Sequence, residues 1–568
     1  MVQTQKFVPG NFTDTDKYID VLHHYITEDK QPEFVVYADY DVDGVTSGIV
    51  TGAALQIIGA ENVKIIYPSM KTGFGLNQTV INRLTASVPA GQQVVLLTAD
   101  NGIGLSDEAI QLPLNWHLLV TDHHEGSDTD FPTMADAVVD PHRHDQPEQT
   151  QFDGYAGVGV IWKVMLAYAD KYCDESQYQR VENLVPLVAL GTVCDQMQII
   201  GENEHIVNVG LDYWNDHTLL SKLIDEANQR DEQSDLKIKS IEARALQFIH
   251  DYVNYDSWCH HVTTDTFGWS IGPLINSSRR MTEESKLAYE LFLSRTQAEQ
   301  ADAYQKLNDL NQQRKTLSRQ AAAEIISEFA SLPADREQLI VGITKAPLGI
   351  CGLIASKVVT EFHCPAIIIT ADQKSNHFGA GSARSVDGVD ILGVVQKLDK
   401  AQPGIVSRYG GHKAACGLSA KGSTLSELQE TANKMMELGS AIIKRDYAVT
   451  AKSNNMRPAS IDRTFDSWDD LTAAKLEDFK RGRSHQLEIA NVPVKTVKQI
   501  LDASSASGDH AGIFIDGSKH LQKFELSDRA NAQLDQSQAN NVTLIGYISR
   551  PVKVHLTKVT LKIEQVKS

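Results

Sequence analysis

The stretch Phe34-Val35-Val36-Tyr37-Ala38-Asp39-Tyr40-Asp41-Val42-Asp43-Gly44-Val45-Thr46-Ser47 decides the fold. Its first five residues, β-branched or aromatic but for Ala38, read as a buried strand, and a helical pattern follows around Ser47 to Ile58. Three carboxylates at alternating positions, closed by a glycine that opens the helix, then lie at the carboxyl edge of a parallel sheet. Open α/β folds bind their ligands there. A calcium-binding loop also has acids at positions one, three and five and glycine at six. Here position twelve is Val50 in place of a bidentate Glu, and a strand precedes the loop, so that alternative is set aside.

The same grammar continues downstream. Val63 to Tyr67, Val94 to Ala99, Leu118 to Thr121 and Ala137 to Val139 read as further strands, with a helical pattern at Leu105 to Gln111. Asp100-Asn101-Gly102 follows one strand at once, Asp122-His123-His124 follows another, and Asp195 closes the run Ala189 to Cys194. Any one of these alone would be a helix cap or a turn residue. Acids and imidazoles at the ends of three successive parallel strands converge in space. Carboxylates with one or two imidazoles suit paired Mn²⁺ or Mg²⁺ and not a structural zinc. Two such ions about 3.5 to 4 Å apart generate a hydroxide and clamp an in-line phosphoryl displacement, which predicts phosphodiester or phosphoanhydride hydrolysis.

Beyond this region helical patterns dominate from Val158 to about Val253, including Val160 to Tyr172 and Glu182 to Val193. Glu283 to Ala330 contains no proline, and Ala303, Leu307, Leu310, Leu317, Ala321 and Ile325 recur at helical spacing. One helix of that length would run about 70 Å, too long for one core, and reads as a connector between lobes. After Pro333 a second α/β pattern predicts strands at Leu339 to Ile343, Ala366 to Thr370 and His377 to Ser382, with helices near Gly352 to Glu361 and Leu425 to Ile443. Ala448 to Ser460 reads as a linker. Ala511 to Ile515, Leu521 to Leu526, Val542 to Tyr547 and Val552 to Val566 read as strands of a small barrel. The expected division is 1–255, 256–332, 333–447 and 461–568.

Composition narrows the class. The 568 residues carry 53 Lys plus Arg against 73 Asp plus Glu, a formal charge of −20, with 42% hydrophobic residues, which excludes disorder and fibre. No apolar run reaches about 18 residues, and Met1 to Gly10 is neither cationic nor apolar. A cytoplasmic protein without membrane spans is expected. The six cysteines are scattered and form no C-x-x-C, so reduced, packed thiols are expected. The net acidity argues against coating nucleic acid with the whole surface, yet it leaves room for a local basic groove. From Ala451 onward 17 basic and 14 acidic residues give +3, so the charge is segregated along the chain.

Asp41-x-Asp43-Gly44, Asp100, Asp122-His123-His124 and Asp195 resemble the four motifs of the DHH phosphoesterase superfamily. The likeness continues through Gly157-Val158-Gly159-Val160, Gly201-Glu202-Asn203, Pro273 to Met281, Gly349 to Ala355, Gly381-Ser382-Ala383-Arg384-Ser385 and Gly410-Gly411-His412, and so covers about residues 33 to 420. The longer form Asp39 to Ser47 is similar to the branch that degrades single-stranded DNA. The resemblance implies two lobes, a parallel-sheet DHH domain and a DHH-associated domain joined by a long helix, followed by an OB-like β-barrel. It implies a metal-dependent 5′ to 3′ exonuclease that releases mononucleotides by a two-metal mechanism in DNA repair or recombination. Asp41, Asp43, Asp100, His124 and Asp195 would be metal ligands for two Mn²⁺ or Mg²⁺ ions, with Asp39 a further ligand or an acid behind them. Asp122, His123 and His124 are the expected catalytic residues, His123 being either a ligand or a donor to the phosphoryl oxygen. Asn276, Arg280, Ser382, Arg384, Ser385, Gly410, Gly411 and His412 would bind the strand. The expected partners are single-stranded DNA and a helicase or single-strand-binding protein, with the chain itself a monomer.

Two positions depart from the family pattern. Arg279 stands where glycine is common, and Glu204 follows Gly201-Glu202-Asn203 where arginine is usual. The barrel lacks the family's signature, and its Lys553, Lys558, Lys562 and Lys567 with Phe514, Phe524 and Tyr547 are read as barrel core and solvated edge ahead of a stacking surface. Two rival readings stand beside the nuclease. A phosphodiesterase for short oligonucleotides or cyclic dinucleotides would share every ligand but need neither barrel nor long connector. A non-catalytic DNA-binding replication scaffold would have lost ligands that are present here.

Overall fold

The computed structural model of the chain describes residues 7–453 except 29, 74, 90, 106–109, 127–130, 148–151, 234–239, 256–260, 332–337, 373–377 and 387, and beyond them the backbone of five strands. The chain divides into two compact units, Met1–Val262 with Thr266–Lys452, and Ser453–Ser568 with Thr263–Asp265.

In the first unit, β1 (Glu33–Ala38), β2 (Val63–Ile66), β3 (Val94–Ala99), β4 (Trp116–Thr121) and β5 (Ala137–Val139) form a parallel sheet in the order β2-β1-β3-β4-β5. Alternation sends Phe34, Val36, Leu97 and Leu119 to one face and Val35, Tyr37, Leu96 and Leu118 to the other. Both faces are apolar because both are covered. Helices α1 (Thr15–Ile26) and α2 (Val42–Ile57) pack on the first face and α3 (Gln78–Ser87) on the second. The first face is completed by α4 (Gly157–Tyr172), α5 (Glu175–Glu182), α6 (Val185–Cys194), α7 (Glu202–Asn215), α8 (His217–Gln233) and α9 (Ile241–Tyr255). Ala38, Ala99, Thr121 and Val139 lie in one row across the sheet, so Asp39, Asp100, Asp122 and Asp140 leave it side by side.

The predicted helix at Leu105 to Gln111 lies partly outside the described residues, and its described ends are not helical. A short turn α10 (Thr264–Thr266) leads through a π-helical turn (Phe267–Ile271) into α11 (Gly272–Thr282). The expected single connector is two helices, α12 (Lys286–Leu293) and α13 (Gln297–Glu328). The break comes at Thr296, whose side chain accepts from Glu299 N while Glu299 reaches back to the Thr296 N–H, a reciprocal cap that starts a new helix. The 32 residues of α13 still span about 48 Å. Its Leu307 belongs to the core of the first lobe and its Ala321, Ala322 and Ile325 to that of the second.

The second lobe has β6 (Ile340–Thr344), β7 (Ala366–Thr370), β8 (Ala380–Arg384), β9 (Val406–His412) and β10 (Ala415–Ala420) in the order β6-β7-β8-β10-β9. On one face α14 (Leu348–Phe362) and the end of α13 cover Ile340, Ala366 and Ile368. On the other α15 (Ile391–Ala401) and α16 (Leu425–Ser453) cover Val341, Ile367, Ile369 and Ala383. The start of the expected linker, Ala448 to Ser453, is helical because α16 runs on through it.

In the second unit β11 (Arg463–Phe465), β12 (Ser484–Pro493), β13 (Lys523–Leu526), β14 (Asn541–Ser549) and β15 (Thr560–Lys567) form one sheet in the order β11-β12-β14-β15-β13. The predicted strand Ala511 to Ile515, together with Phe514, Lys553 and Lys558, lies outside the described residues.

Candidate metal centre

The loop after β1 folds back so tightly that a Cβ on Gly44 would stand 2.2 Å from the Asp39 carbonyl oxygen, so no other residue fits there. Asp41 caps α2 by accepting from Gly44 N at 3.1 Å. Its second oxygen is left for another partner. Asp43 is buried in the first turn of α2, and its two oxygens accept from Gly157 N at 2.7 Å and Val158 N at 3.0 Å. These are the free amides at the start of α4, where a helix favours negative charge. Asp100 adopts φ 60°, a sparsely populated conformation for a residue with a Cβ and a form of strain that accumulates at functional sites. Asp195 terminates α6.

These groups meet at His123. Its Nδ1 lies 3.0 Å from the Tyr155 carbonyl, which can only accept, so the neutral ring carries its proton on Nδ1 and presents a lone pair at Nε2. Nε2 stands 3.2 Å from Asp100 Oδ1, 3.6 Å from Asp195 Oδ2 and 3.8 Å from Asp43 Oδ2. Burial and the neighbouring charge of His124 push His123 down to about 4. Burial, then Asp41, pushes Asp195 up to about 7, and burial followed by Asp41 does the same to Asp39. Burial and adjacent carboxylates drive Asp43 and Asp100 well above the usual range, the Asp43 amide bonds opposing this.

Acceptors facing acceptors in a buried site repel unless a cation lies between them. Asp100 Oδ1 is buried and has no hydrogen-bond partner. Asp43, His123 and Asp195 bring ligand atoms within 4.8 Å of one another, and so do Asp39, Asp41 and Asp100, and again Asp100, His123 and His124. Carboxylate oxygens with imidazole nitrogen are donors suited to Mn²⁺ or Mg²⁺. The residues therefore fit two divalent ions, with Asp100 common to the second and third groups and His123 to the first and third.

Asp122 has a different place. Its oxygens accept from Ile103 N (2.9 Å), His123 N (2.8 Å), His124 N (3.3 Å) and His124 Nδ1 (2.7 Å). Burial raises Asp122, but the His124 bond and charge and the Ile103 amide outweigh it and hold the carboxyl low. The same bond lifts His124 to about 9. Without metal, His123 is thus the neutral imidazole of the pair and His124 the cationic one, and the ligand role expected of His124 requires loss of that proton.

A strap from Gly154 to Val158 supplies the Tyr155 carbonyl and both amides on Asp43. A Cβ on Gly157 would fall 2.5 Å from Asp100 Cβ, so the strap touches the centre directly. Asn203, fully buried, donates to Gly154 O at 2.6 Å and Gln198 O at 3.0 Å. Lys163, also buried, binds Glu202 at 2.9 Å beneath the Tyr155 ring. Gly201-Glu202-Asn203 therefore clamps the strap, and Glu204 lies in the first turn of α7, where an acid suits the helix dipole.

The basic side of the site comes from α11, α13 and β8. Arg279 lies over the Tyr40 ring at 5.1 Å and donates to Asn276 Oδ1 at 2.7 Å. Arg280 is pushed down to about 9 by burial, then by Arg279 and Arg314, with Arg384 contributing and Asp41 opposing. Arg314, buried on α13, is held by Asn311 Oδ1 at 2.8 and 3.0 Å. Arg384 donates to Ser382 Oγ at 2.9 Å and to Ala383 O at 2.8 Å, under Gly352 of α14. Ser382, Gly417 and Gly410 form one cross-strand row, and Arg384, Ala415 and His412 form the next but one, on the same face. A Cβ at Gly410 or Gly417 would meet nothing within 4 Å, so the face over these rows is open out to the edge strand β9. Ser385 faces elsewhere, its hydroxyl donating to Val389 O at 2.7 Å.

Sequence reasoning missed Arg314, Asn311, Tyr155 and the clamp residue Lys163. An arginine three residues after an asparagine inside a helix was a faint signal for the first two. A backbone carbonyl leaves no signal in sequence.

A two-lobed α/β fold with this carboxylate and imidazole centre defines a class, and two family models match the chain over the two lobes. Residues 33–192 match the DHH family, N-terminal domain, and residues 337–438 match the DHHA1 domain. Among curated proteins it is similar to the single-stranded-DNA-specific exonuclease RecJ of Haemophilus influenzae, 27% identical over 77% of this chain and 73% of the relative. It is similar also to that of Salmonella typhimurium, 25% identical over 82% of this chain and 77% of the relative. A crystal structure of RecJ in complex with Mn²⁺ from Thermus thermophilus covers 100% of this chain and 73% of its own at TM-score 0.66 and 18% identity. Another, of exonuclease RecJ bound to manganese, covers 76% of this chain and 95% of its own at TM-score 0.56 and 20% identity. Among the described residues no helix is long and apolar enough to cross a membrane.

Proposed function

We propose that the chain is a metal-dependent exonuclease that hydrolyses single-stranded DNA from its 5′ end and releases mononucleotides. The observation that carries this is the lone pair of His123 Nε2 facing Asp43, Asp100 and Asp195 across 3.2 to 3.8 Å, with Arg280 within electrostatic reach of both Asp41 and Arg384. Asp39, Asp41, Asp43, Asp100, His123 and Asp195 would hold two divalent cations, which would supply an activated water and offset charge on the phosphoryl group. Asp122 holds His124 protonated, and this cation stabilises the charge that grows on the phosphoryl oxygens in the transition state. Tyr155 O fixes the His123 tautomer so that Nε2 points inward. Arg279, Arg280 and Arg384, with Asn276 and Ser382, grip phosphates of the strand, and the open edge at Gly410, Gly411 and His412 lets its backbone lie close.

The similarity to RecJ proteins favours this reading over a small-substrate phosphodiesterase, and the complete set of acids and imidazoles favours it over a scaffold. The same reading takes the second unit as an OB-like domain, and the protein as a cytoplasmic monomer that works in DNA repair or recombination and receives single strands from a helicase or single-strand-binding protein. Purified protein with Mn²⁺ and end-labelled single-stranded DNA tests it. Loss from the 5′ end that a chelator abolishes supports the proposal. Cleavage of a dinucleotide alone moves the chain to the small-substrate class.

A further inference from the structure

The tryptophans of the first unit are unequal. Trp116, Trp162 and Trp214 are buried, whereas Trp269 is 79% exposed. An indole left in water forgoes one of the largest apolar burials available to a side chain. Trp269 sits in the π-helical turn, whose Phe267 and Ile271 are buried while Gly268, Trp269 and Ser270 face solvent. Short π-helical turns gather at functional sites. Phe267 O accepts from Cys194 Sγ at 3.4 Å, so the turn is anchored beside Asp195 of the metal centre.

The turn runs without interruption into α11. At helical spacing, Trp269 is followed on one partly exposed stripe by Pro273, Asn276 and Arg280, with Arg279 at its edge over Tyr40. A rise of 1.5 Å per residue puts Trp269 about 10 Å before Asn276 along the axis. An exposed aromatic face in line with phosphate-gripping arginines is the pairing that proteins use to hold single strands, bases stacking on rings while cations track the backbone.

We propose that Trp269 stacks on a base of the single-stranded substrate next to the phosphates held by Asn276, Arg279 and Arg280. This inference rests on the nuclease reading above. Because every base offers a π-face, the contact is tolerant of sequence, as a nuclease that proceeds along a strand requires.

The test uses the full chain in EDTA, where cleavage is prevented, and fluorescence anisotropy of a labelled 20-nucleotide oligothymidylate. Trp269→Ala is expected to weaken binding about tenfold, the size of one lost stack, with Trp269→Phe within about threefold of wild type. A stack carries no charge, so the slope of log Kd against log salt should stay the same in Trp269→Ala, whereas Arg280→Ala should lower it. Equal affinity of Trp269→Ala and wild type overturns the inference, as does a loss that Trp269→Phe does not restore. If the alanine variant keeps its DNA affinity but loses self-association on size exclusion, the ring is a protein contact and the inference falls. A wild type that binds no single strand takes down the nuclease reading and this inference together, an outcome visible in the wild-type control alone.

Discussion

Asp122 Oδ1 lies 2.7 Å from Nδ1 of His124, two residues further along the same turn, and the bond sets which charge each of them carries. Replacing Asp122 by Asn removes the charge that lifts His124 to about 9. Cleavage should fall by about two to three orders of magnitude in kcat, as when a charge-stabilising donor is lost. Single-turnover kinetics with saturating DNA checks this, and a variant within twofold of wild type would contradict the assignment.

The pH dependence of the metal-free protein follows from the same bond. A histidine raised on folding contributes stability that is fully present below its unfolded value near 6.5 and is lost as pH rises through about 9. In EDTA, wild type should lose melting temperature between pH 6.5 and 9 relative to His124→Gln, whose curve lacks that component. Parallel curves would show that the pair is not formed in solution.

Metal binding should be strongly coupled to protons. Asp39 and Asp195 both stand at about 7 without metal, and an arriving cation displaces their protons. Affinity for Mn²⁺ measured by calorimetry should therefore rise from pH 6 to pH 8, with heats that depend on the ionisation enthalpy of the buffer. At 100 times Kd the ion should add about 2.7 kcal/mol of stability. Asp100→Asn should abolish the gain.

The clamp on the strap is testable without DNA. Asn203→Ala and Lys163→Met leave every ligand in place but free the turn that carries Tyr155 O and the Gly157 amide. Loss of such outer contacts typically costs about 10 to 100-fold in metal affinity. Calorimetry with Mn²⁺ on folded variants reads this directly. Lower melting temperature with unchanged affinity would make the clamp merely structural.

Arg384→Lys distinguishes planar recognition from simple charge. Arg384 is oriented by Ser382 Oγ and Ala383 O, a geometry that an ammonium cannot reproduce. KM for single-stranded DNA should rise about tenfold with kcat little changed, and lysine should fail to rescue the alanine variant.

Much of the fold is legible in the sequence, for physical reasons. Phe34 to Ala38 and Val94 to Ala99 are buried on both faces, so their composition announces strands, and the acids after them stand at the sheet edge because parallel strands place them there. The connector reads as one helix because no proline interrupts Glu283 to Ala330, while the cap that breaks it depends on the pairing of Thr296 with Glu299. That Asp122 holds the His124 imidazole and stands outside the candidate ligand groups is hidden too. Three of its donors come from its own turn and the fourth, Ile103 N, from the loop after β3, an arrangement no spacing reveals.

The alignment of Ala38, Ala99 and Thr121 in one row has a wider meaning. Neighbouring strands are held about 4.8 Å apart by the peptide ladder, so the gauge between Asp39 and Asp100 is inherited from main-chain hydrogen bonding. Surface mutations can retune affinity, but they cannot widen that gauge without breaking the sheet. That separation is set by the scaffold itself, whereas Asp43 and Asp195 ride on helices and stand outside the constraint.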